Sequence, residues 1–328
     1  MIVRLFALRA GMLLSVLAAM TGTAKAAGAD YPNRAVRMIV PFSAGGPTDL
    51  IGRVVSQHMS DAWKTPVVVD NRGGAGGTIG VELAIKANLD GYTLLFGSTS
   101  TFAVNPALYR NLRYDMATDL GIVAFVAYAP QIMVVRSSLP LDSVSGLVAM
   151  ARTNPGKLTF ASSGVGTTIH LAGELLKYAA GIDLLHVPFK GGGQAISGLL
   201  TGEVDILFNN PGALIPQIKS GKLKALSVAG PQRLKSMPQL PTFAEAGLPQ
   251  VESGSAFGIA VPARTPVAVR RELGALLAAI ARNPAYIEQV GALGTEALLM
   301  SEQAAQEYVQ REFAKWKDVI KTARVTVD

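Results

Sequence analysis

A strand, a glycine-rich loop and a helix follow one another repeatedly along this chain, and this alternation most limits its possible folds. The apolar run Val36–Val40 predicts a buried strand that ends at Pro41. Ser43–Asp49 is a loop of small residues, and apolar residues at helical spacing begin with Leu50. The same order recurs as far as the strand-like run Tyr92–Phe96. This βαβαβ order predicts a mostly parallel, doubly wound α/β sheet.

The alternation restarts near Gly121 and continues to about residue 240. The remainder is predicted to be mostly helical, with helices over Pro266–Ala281, Pro284–Leu293 and Ser301–Thr322. Because no low-complexity linker separates these parts, we expect two lobes joined by more than one chain crossing. Lobe 1 is expected to comprise residues 27–127 and 241–328, and lobe 2 residues 128–240.

The N-terminus has the layout of a secretory signal peptide. Arg4 and Arg9 precede the apolar run Ala10–Met20, and Ala24-Lys25-Ala26 forms a small-x-small cleavage pattern. The apolar run is shorter than the roughly 20 residues that cross a bilayer. We expect cleavage after Ala26 and export to the periplasm. Loss of Arg4, Arg9 and Lys25 would lower the net charge from +7 to +4.

Composition and motif spacing exclude several functional classes. The chain has no cysteine, so disulfides, a thiol nucleophile and cysteine-ligated zinc are excluded. No Lys/Arg block or basic-aromatic stripe indicates nucleic-acid binding. The loops Gly74–Ile79 and Gly164–Ile169 each fail the sixth position of the dinucleotide fingerprint, and no loop ends in the Lys-Ser/Thr of a phosphate loop. We expect no nucleotide, no metal and no other cofactor.

The histidines give little support to catalysis. His58, His170 and His186 do not have a zinc-binding spacing, and no serine lies in a G-x-S-x-G elbow. His170 lies one turn into a predicted helix, where a structural role is favoured over a catalytic one. A hydrolase that uses the His170 region is the enzymatic alternative.

Four loops of small residues open helices directly after strands, and they form the main candidate site. A helix N-terminus leaves N–H groups unpaired and carries partial positive charge, so such loops can bind an anion. Two of them facing each other across a cleft could hold a carboxylate without a cationic side chain. The alternative is that all four are ordinary βα turns. Asp49 would repel an anion if it faced the cleft, and we expect it instead to cap the helix by accepting N–H bonds, which also shapes the loop. The loops are Ser43–Asp49, Ser98–Thr101, Ser162–Thr168 and Lys190–Gly193.

Seven segments in order resemble the Bug-type receptors of tripartite tricarboxylate transporters, and the resemblance covers nearly the whole chain after the signal peptide. The segments are Val40–Asp49 (VPFSAGGPTD), Asp70–Gly80, Asp90–Leu95, Asn105–Tyr109, Ser163–Leu175, His186–Gly192 and Pro241–Gly247. The resemblance implies a type II periplasmic-binding-protein fold, with two doubly wound lobes, a hinge and a ligand cleft between the lobes. It implies no enzymatic activity.

The resemblance also implies which positions contact the ligand. It places one set of carboxylate-binding residues on lobe 1, a second set on lobe 2, and further residues along the cleft. The lobe 1 set would comprise Ser43, Ala44, Gly45, Gly46, Thr48 and Asp49, and the lobe 2 set would comprise Gly164, Val165, Gly166 and Thr167. The residues that line the cleft would be Thr99, Asn105, Lys190, Gly191 and Asn209.

Two positions depart from the family pattern. Family members often carry Trp at the position of Ala256 and an acid at the position of Asn209, and a neutral Asn209 indicates a ligand other than an amino acid. The resemblance predicts a monomeric receptor that presents a di- or tricarboxylate, or an aromatic acid, to a membrane permease. The sequence leaves open a receptor of the same fold that signals to a membrane kinase.

Overall fold

The structure is a computed structural model that describes residues 31–323 and residue 325. The predicted signal peptide, residues 1–26, lies outside the described residues. The description below concerns the compact unit that begins at Arg34. Within it, two separate sheets of six and five strands each carry helices, as the alternation in the sequence predicted.

The first sheet has the strand order β11-β4-β10-β3-β1-β2. Strand β1 pairs in parallel with both β2 and β3, which confirms the parallel βαβαβ arrangement predicted at the start of the chain. Its strands are β1 (Val36–Val40), β2 (Val67–Asn71), β3 (Thr93–Ser98), β4 (Leu120–Pro130), β10 (Gly254–Pro262) and β11 (Glu296–Met300).

Helices α1 and α2 join the parallel strands of this sheet. The polar segment that follows β3 forms a short π-helix. A π-helix is rare and is often found at functional sites. The elements are α1 (Pro47–Trp63), a 3₁₀ turn (Ala75–Gly77), α2 (Thr78–Ile85), the π-helix (Ser100–Val104), α3 (Asn105–Leu108) and α4 (Met116–Asp119).

The expectation that the last part of the chain is mostly helical missed two strands. Strand β10 runs antiparallel between β3 and β4, and β11 pairs antiparallel with β4. All nine residues of β10, GSAFGIAVP, are buried. A strand covered on both faces shows no polar-apolar alternation, and its glycines and alanines have low strand propensity. The helices in this part are α9 (Val267–Ala281), α10 (Pro284–Ala292) and α11 (Glu302–Thr322).

The second sheet has the order β7-β6-β8-β5-β9, with β6 parallel to β7 and β8, and β5 antiparallel to β8 and β9. Its strands are β5 (Ile132–Arg136), β6 (Thr159–Ser162), β7 (Leu185–Pro188), β8 (Ile206–Asn209) and β9 (Leu223–Val228). The helices beside it are α5 (Val144–Thr153), α6 (Thr168–Ala180), α7 (Gly192–Thr201) and α8 (Pro211–Lys219).

Two chain segments connect the sheets. The first is the step from β4 to β5 at Pro130–Ile132, and the second leads from β9 to β10. Phe243 and Val251, on the second segment, are buried in the core of the five-stranded sheet. We therefore propose that the chain passes from lobe 1 to lobe 2 at Gln131 and returns to lobe 1 at Ser253. Both positions lie later along the chain than the boundaries expected from the sequence.

The helices of the described residues include none that is both long and apolar enough to cross a membrane.

Candidate functional site

Loops from both lobes meet around one small cavity. Its walls come from the β1–α1 loop and β3 on one side, and from the β6–α6 and β7–α7 loops on the other. The cavity measures about 20 Å³ and is lined by Phe42, Gly46, Pro47, Thr48, Ser98, Ser100, Ser163, Thr168, Ile169, Gly192, Asn210, Ser255 and Phe257. The Ser43–Asp49 and Ser162–Thr168 loops therefore share a cavity.

The β1–α1 loop is shaped by Asp49, whose carboxylate is buried. Asp49 Oδ2 accepts from the backbone N–H of Gly45 at 2.9 Å and from Arg53 Nε at 3.0 Å. Asp49 Oδ1 accepts from Asn71 Nδ2 at 3.0 Å. The carboxylate is thus paired within lobe 1 and does not line the cavity. It shapes the loop as predicted, but the N-cap position of α1 is Gly46, which has no side-chain cap hydrogen bond.

The β6–α6 loop carries two glycines with positive φ, at +129° for Gly164 and +78° for Gly166, a conformation that other residues rarely adopt. Thr167 caps α6, because its side chain accepts from the N–H of His170 at 3.3 Å. The loop touches lobe 1 through Val165, whose carbonyl accepts from the Tyr109 hydroxyl at 3.3 Å.

The β7–α7 loop packs backbone to backbone against the β1–α1 loop. A Cβ at position 46 would lie 3.3 Å from the nitrogen of Gly193 and 3.4 Å from that of Gly192. A Cβ at position 193 would lie 2.3 Å from the carbonyl oxygen of Ala44. The approach at position 193 permits only glycine, and the one at position 46 leaves little room for a Cβ. The two loops, and with them the two lobes, are in contact in the structure.

A network of hydroxyl groups joins the lobes beside the cavity. Thr168, at the start of α6, lies 3.2 Å from Ser100 and 3.0 Å from Ser255, measured between side-chain oxygens. Gln131 Nε2 donates to Thr168 Oγ1 at 3.0 Å, and the N–H of Thr168 donates to Ser100 Oγ at 2.9 Å. Because Gln131 lies where the chain passes between the sheets, this network connects the crossing to the cavity.

The predicted ligand positions differ in how they relate to the cavity. Gly46 and Thr48 line the cavity directly. Several others form the contacts between loops around it: Ser43, Ala44, Gly164, Val165, Gly166, Gly191 and, next to Gly192, Asn209. Lys190 is exposed, and its backbone N–H donates to Gln194 at 3.2 Å.

Three predicted positions have partners inside their own lobe. Thr99 Oγ1 lies 2.9 Å from the Tyr308 hydroxyl and accepts from the N–H of Ala256 at 2.9 Å. Asn105 Nδ2 donates to the Gly76 carbonyl at 3.2 Å. Thr167 is the helix cap described above. We therefore expect these three side chains to shape the site.

Several lining residues are absent from the ligand positions that the family resemblance implied. Five of them lie within the four loops predicted as the candidate site, namely Ser98, Ser100, Ser163, Thr168 and Gly192. Ser255 and Phe257 lie on β10, and they were missed because that strand was not predicted.

The two histidines of lobe 2 support the β6–α6 loop from behind. Their rings stack with centroids 3.9 Å apart. His170 Nδ1 accepts from the N–H of Gly166 at 3.2 Å, and His186 Nε2 lies 2.7 Å from Ser162 Oγ. Burial lowers the pKa of His170 to about 3 and that of His186 to about 4. Neither histidine lines the cavity, so both have the structural role expected for His170.

Hydroxyl and amide groups line the cavity together with apolar side chains such as Phe42 and Phe257, and none of the lining residues carries a charged side chain. Hydroxyl groups, amides and helix N-termini can all donate hydrogen bonds to an anion. In the described part of the chain, no group of three His, Asp or Glu side chains could hold a metal ion. The arrangement therefore suits an uncharged or negatively charged polar ligand.

Comparison with known proteins assigns the family. Residues 51–325 match the model of the tripartite tricarboxylate transporter family receptor. The protein BugT of Bordetella pertussis is 33% identical over 311 residues, which cover 94% of this chain and 95% of BugT.

Solved structures agree with this assignment. Rpa4515 of R. palustris with adipate is 34% identical, with a TM-score of 0.88 over 90% of this chain and 99% of that one. MatC from Rhodopseudomonas palustris with bound malate is 29% identical, with a TM-score of 0.83 over 88% of this chain and 100% of that one. The chain therefore belongs to the tripartite tricarboxylate transporter receptor family, whose members are periplasmic solute-binding receptors with a two-lobed type II fold and not enzymes.

Proposed function

We propose that this protein is an extracytoplasmic receptor that closes its two lobes around a small organic carboxylate. The observation that carries the proposal is the convergence of loops from both lobes, with the N-termini of α1, α6 and α7, on one cavity. A carboxylate there would receive backbone and hydroxyl hydrogen bonds from both lobes at once. Hydrogen bonds to a charged group contribute about 1.5–3 kcal/mol each.

Two relatives support a carboxylate as the ligand. One is named with adipate and the other with bound malate, which are both dicarboxylates. Because the similarity to these two proteins covers 88–90% of this chain, we expect this chain to bind a carboxylate as well. A di- or tricarboxylate, or an aromatic acid, is the proposed ligand class.

We further propose that the ligand contacts fall on the residues expected from the sequence, with the hydroxyl residues of the cavity added to them. The first group is Ser43, Ala44, Gly45, Gly46, Thr48, Asp49, Thr99, Asn105, Gly164, Val165, Gly166, Thr167, Lys190, Gly191 and Asn209. Within it, Asp49, Thr99, Asn105 and Thr167 would act by holding the loops in place.

Receptor function requires export and a partner. The signal-like N-terminus and the family support a periplasmic location after cleavage at Ala26. The family description supports delivery of the ligand to the membrane permease of a tripartite tricarboxylate transporter. The receptor is proposed to act as a monomer.

A thermal-shift screen against several hundred organic acids tests the proposal. We expect at least one acid to raise the melting temperature. Calorimetry on that acid should give a Kd in the micromolar range, which corresponds to a binding free energy of about −8 kcal/mol. If no acid in the screen stabilises the protein, carboxylate binding is contradicted. Turnover of a bound acid would instead support an enzyme.

A further inference from the structure

An unpaired hydrogen-bond donor lies beside Gly192, one of the residues that line the cavity. Asn209 is the last residue of β8 and is fully buried. Its Nδ2 atom has no hydrogen-bond partner among the described residues. A buried polar group without a partner is costly, so such a group is rare unless a ligand or water completes it.

The orientation of the Asn209 amide is fixed by its neighbour. The backbone N–H of Asn210 can only donate, and it donates to Asn209 Oδ1 at 2.9 Å. The amide nitrogen must therefore point the other way. A Cβ at position 192 would lie 3.2 Å from Asn209 Nδ2 and 2.9 Å from Pro47 Cδ, and both Gly192 and Pro47 line the cavity.

The same cavity offers no negatively charged side chain to pair with a positive charge. Its lining contains hydroxyl, amide and apolar side chains, and no acidic one. Asp49 lies close in the chain, but Arg53, Asn71 and the N–H of Gly45 already occupy its carboxylate. An ammonium group in this site would be buried without an acidic partner from the protein, which is unfavourable.

We infer that the cleft selects organic acids that carry no ammonium group, and that Asn209 Nδ2 donates a hydrogen bond to an oxygen of the acid. This inference rests on the proposed function and narrows its ligand class. The side-chain amide of Asn209 would thus make the protein prefer hydroxy acids or unsubstituted acids over amino acids of the same length.

Matched pairs of ligands test the inference on the unmodified protein. The pairs are malate and aspartate, adipate and 2-aminoadipate, and 3-phenylpropionate and phenylalanine, together with any other acid from the screen and its amino analogue. By calorimetry we expect the amine-free member of every pair that binds to be at least about tenfold tighter. An amino member that binds equally well or better overturns the inference and leaves carboxylate binding intact.

Failure of the proposed function gives a different result. If neither member of any pair binds, and the wider screen is also negative, then the receptor proposal is contradicted together with this inference.

Substitution of Asn209 tests its own part. Asn209→Ala should lower the affinity for the best amine-free acid by about tenfold, because one hydrogen-bond donor is lost. Asn209→Asp should lower that affinity further, and it should reduce or reverse the preference for this acid over its amino analogue. Asn283→Asp makes the same charge change in lobe 1, at a helix cap that accepts from Ala285 N at 2.9 Å, and should leave ligand preference unchanged. Unchanged affinity in a folded Asn209→Ala protein contradicts the assignment to Asn209.

Discussion

At the scale of single residues, glycines decide how closely the two lobes approach. Gly193 has ordinary helical geometry at the start of α7, so its backbone does not require glycine for conformational reasons. Its missing side chain matters because the carbonyl oxygen of Ala44, in the opposite lobe, occupies the space. Glycine at position 193 is therefore needed for the lobes to close and is not needed for the chain to fold.

Gly193→Ala is expected to fold normally and to lose ligand binding. Alanine is favoured over glycine within a helix by up to about 1 kcal/mol, so the melting temperature without ligand should not fall. The added Cβ would lie 2.3 Å from Ala44 O in the closed arrangement, and affinity for the best acid should drop at least about tenfold. Calorimetry and thermal shift measure the two effects.

Gly291→Ala is the matched control for this change. Gly291 lies in α10, and a Cβ there would meet no atom within 4 Å. This variant should bind as the unmodified protein does. Full affinity in Gly193→Ala would mean that ligand binding does not require the loop contact seen in the structure.

At the scale of elements, the β6–α6 loop depends on the histidine pair behind it. Phe160, on β6, stacks on His186 with ring centroids 4.8 Å apart, and His186 stacks on His170. Protonation of His170 at Nδ1 would remove the acceptor of the Gly166 N–H. Lys177 lowers both histidine pKa values further, although burial is the larger cause.

Stability should therefore fall as the pH falls below 6.5, the ordinary pKa of histidine. The pKa values of His170 and His186 are depressed in the folded protein, so the unfolded chain takes up protons that the folded one does not. The loss is up to about 1.4 kcal/mol per pH unit for each histidine. Urea unfolding at pH 7.5, 6.5, 5.5 and 4.5 measures it.

Two features sharpen this pH experiment. Burial raises the pKa of Glu174, whose Oε1 lies 3.8 Å from His170 Nε2, and this carboxyl group opposes the loss near the acidic end. His186→Phe keeps a ring in the stack and removes one titrating group, so its stability should fall about half as steeply with pH. Equal slopes in both proteins would show that the pair does not carry the pH dependence.

At the scale of the whole binding unit, the cavity is far smaller than the proposed ligands. Ligand cavities usually measure about 300–1,000 Å³, whereas this one measures about 20 Å³, enough for a single water molecule. Entry of an organic acid would therefore require the lobes to separate, and the bound acid would favour the closed state by contacting both of them.

Paired spin labels can follow this motion. The chain contains no cysteine, so Lys86→Cys in lobe 1 and Glu203→Cys in lobe 2 provide unique labelling sites. Both positions are exposed. We expect a broader distribution of distances between the labels without ligand and a narrower one with the best acid from the screen. A single, unchanged distance would contradict entry by lobe separation.

Much of this organisation was predictable because it is local. The strand–loop–helix order from Val36 to Phe96 and again beyond Gly121 predicted two α/β units, and both sheets are present. Asp49 was predicted to serve its own loop, and its partners are Gly45, Arg53 and Asn71. The seven ordered segments indicated the family that the comparisons show.

The fold class, the family and the loops that line the cavity were predictable from the order of residues, because periodicity and small-residue loops are properties of neighbouring residues. Three other features became visible only in the folded chain: β10 pairs with β3 and β4, Ser255 and Phe257 reach the cavity, and Thr99 turns toward Tyr308. Those outcomes depend on pairing between segments far apart in the chain. The unpaired nitrogen of Asn209 belongs with them, because a missing partner can be recognised only when every neighbour is in place.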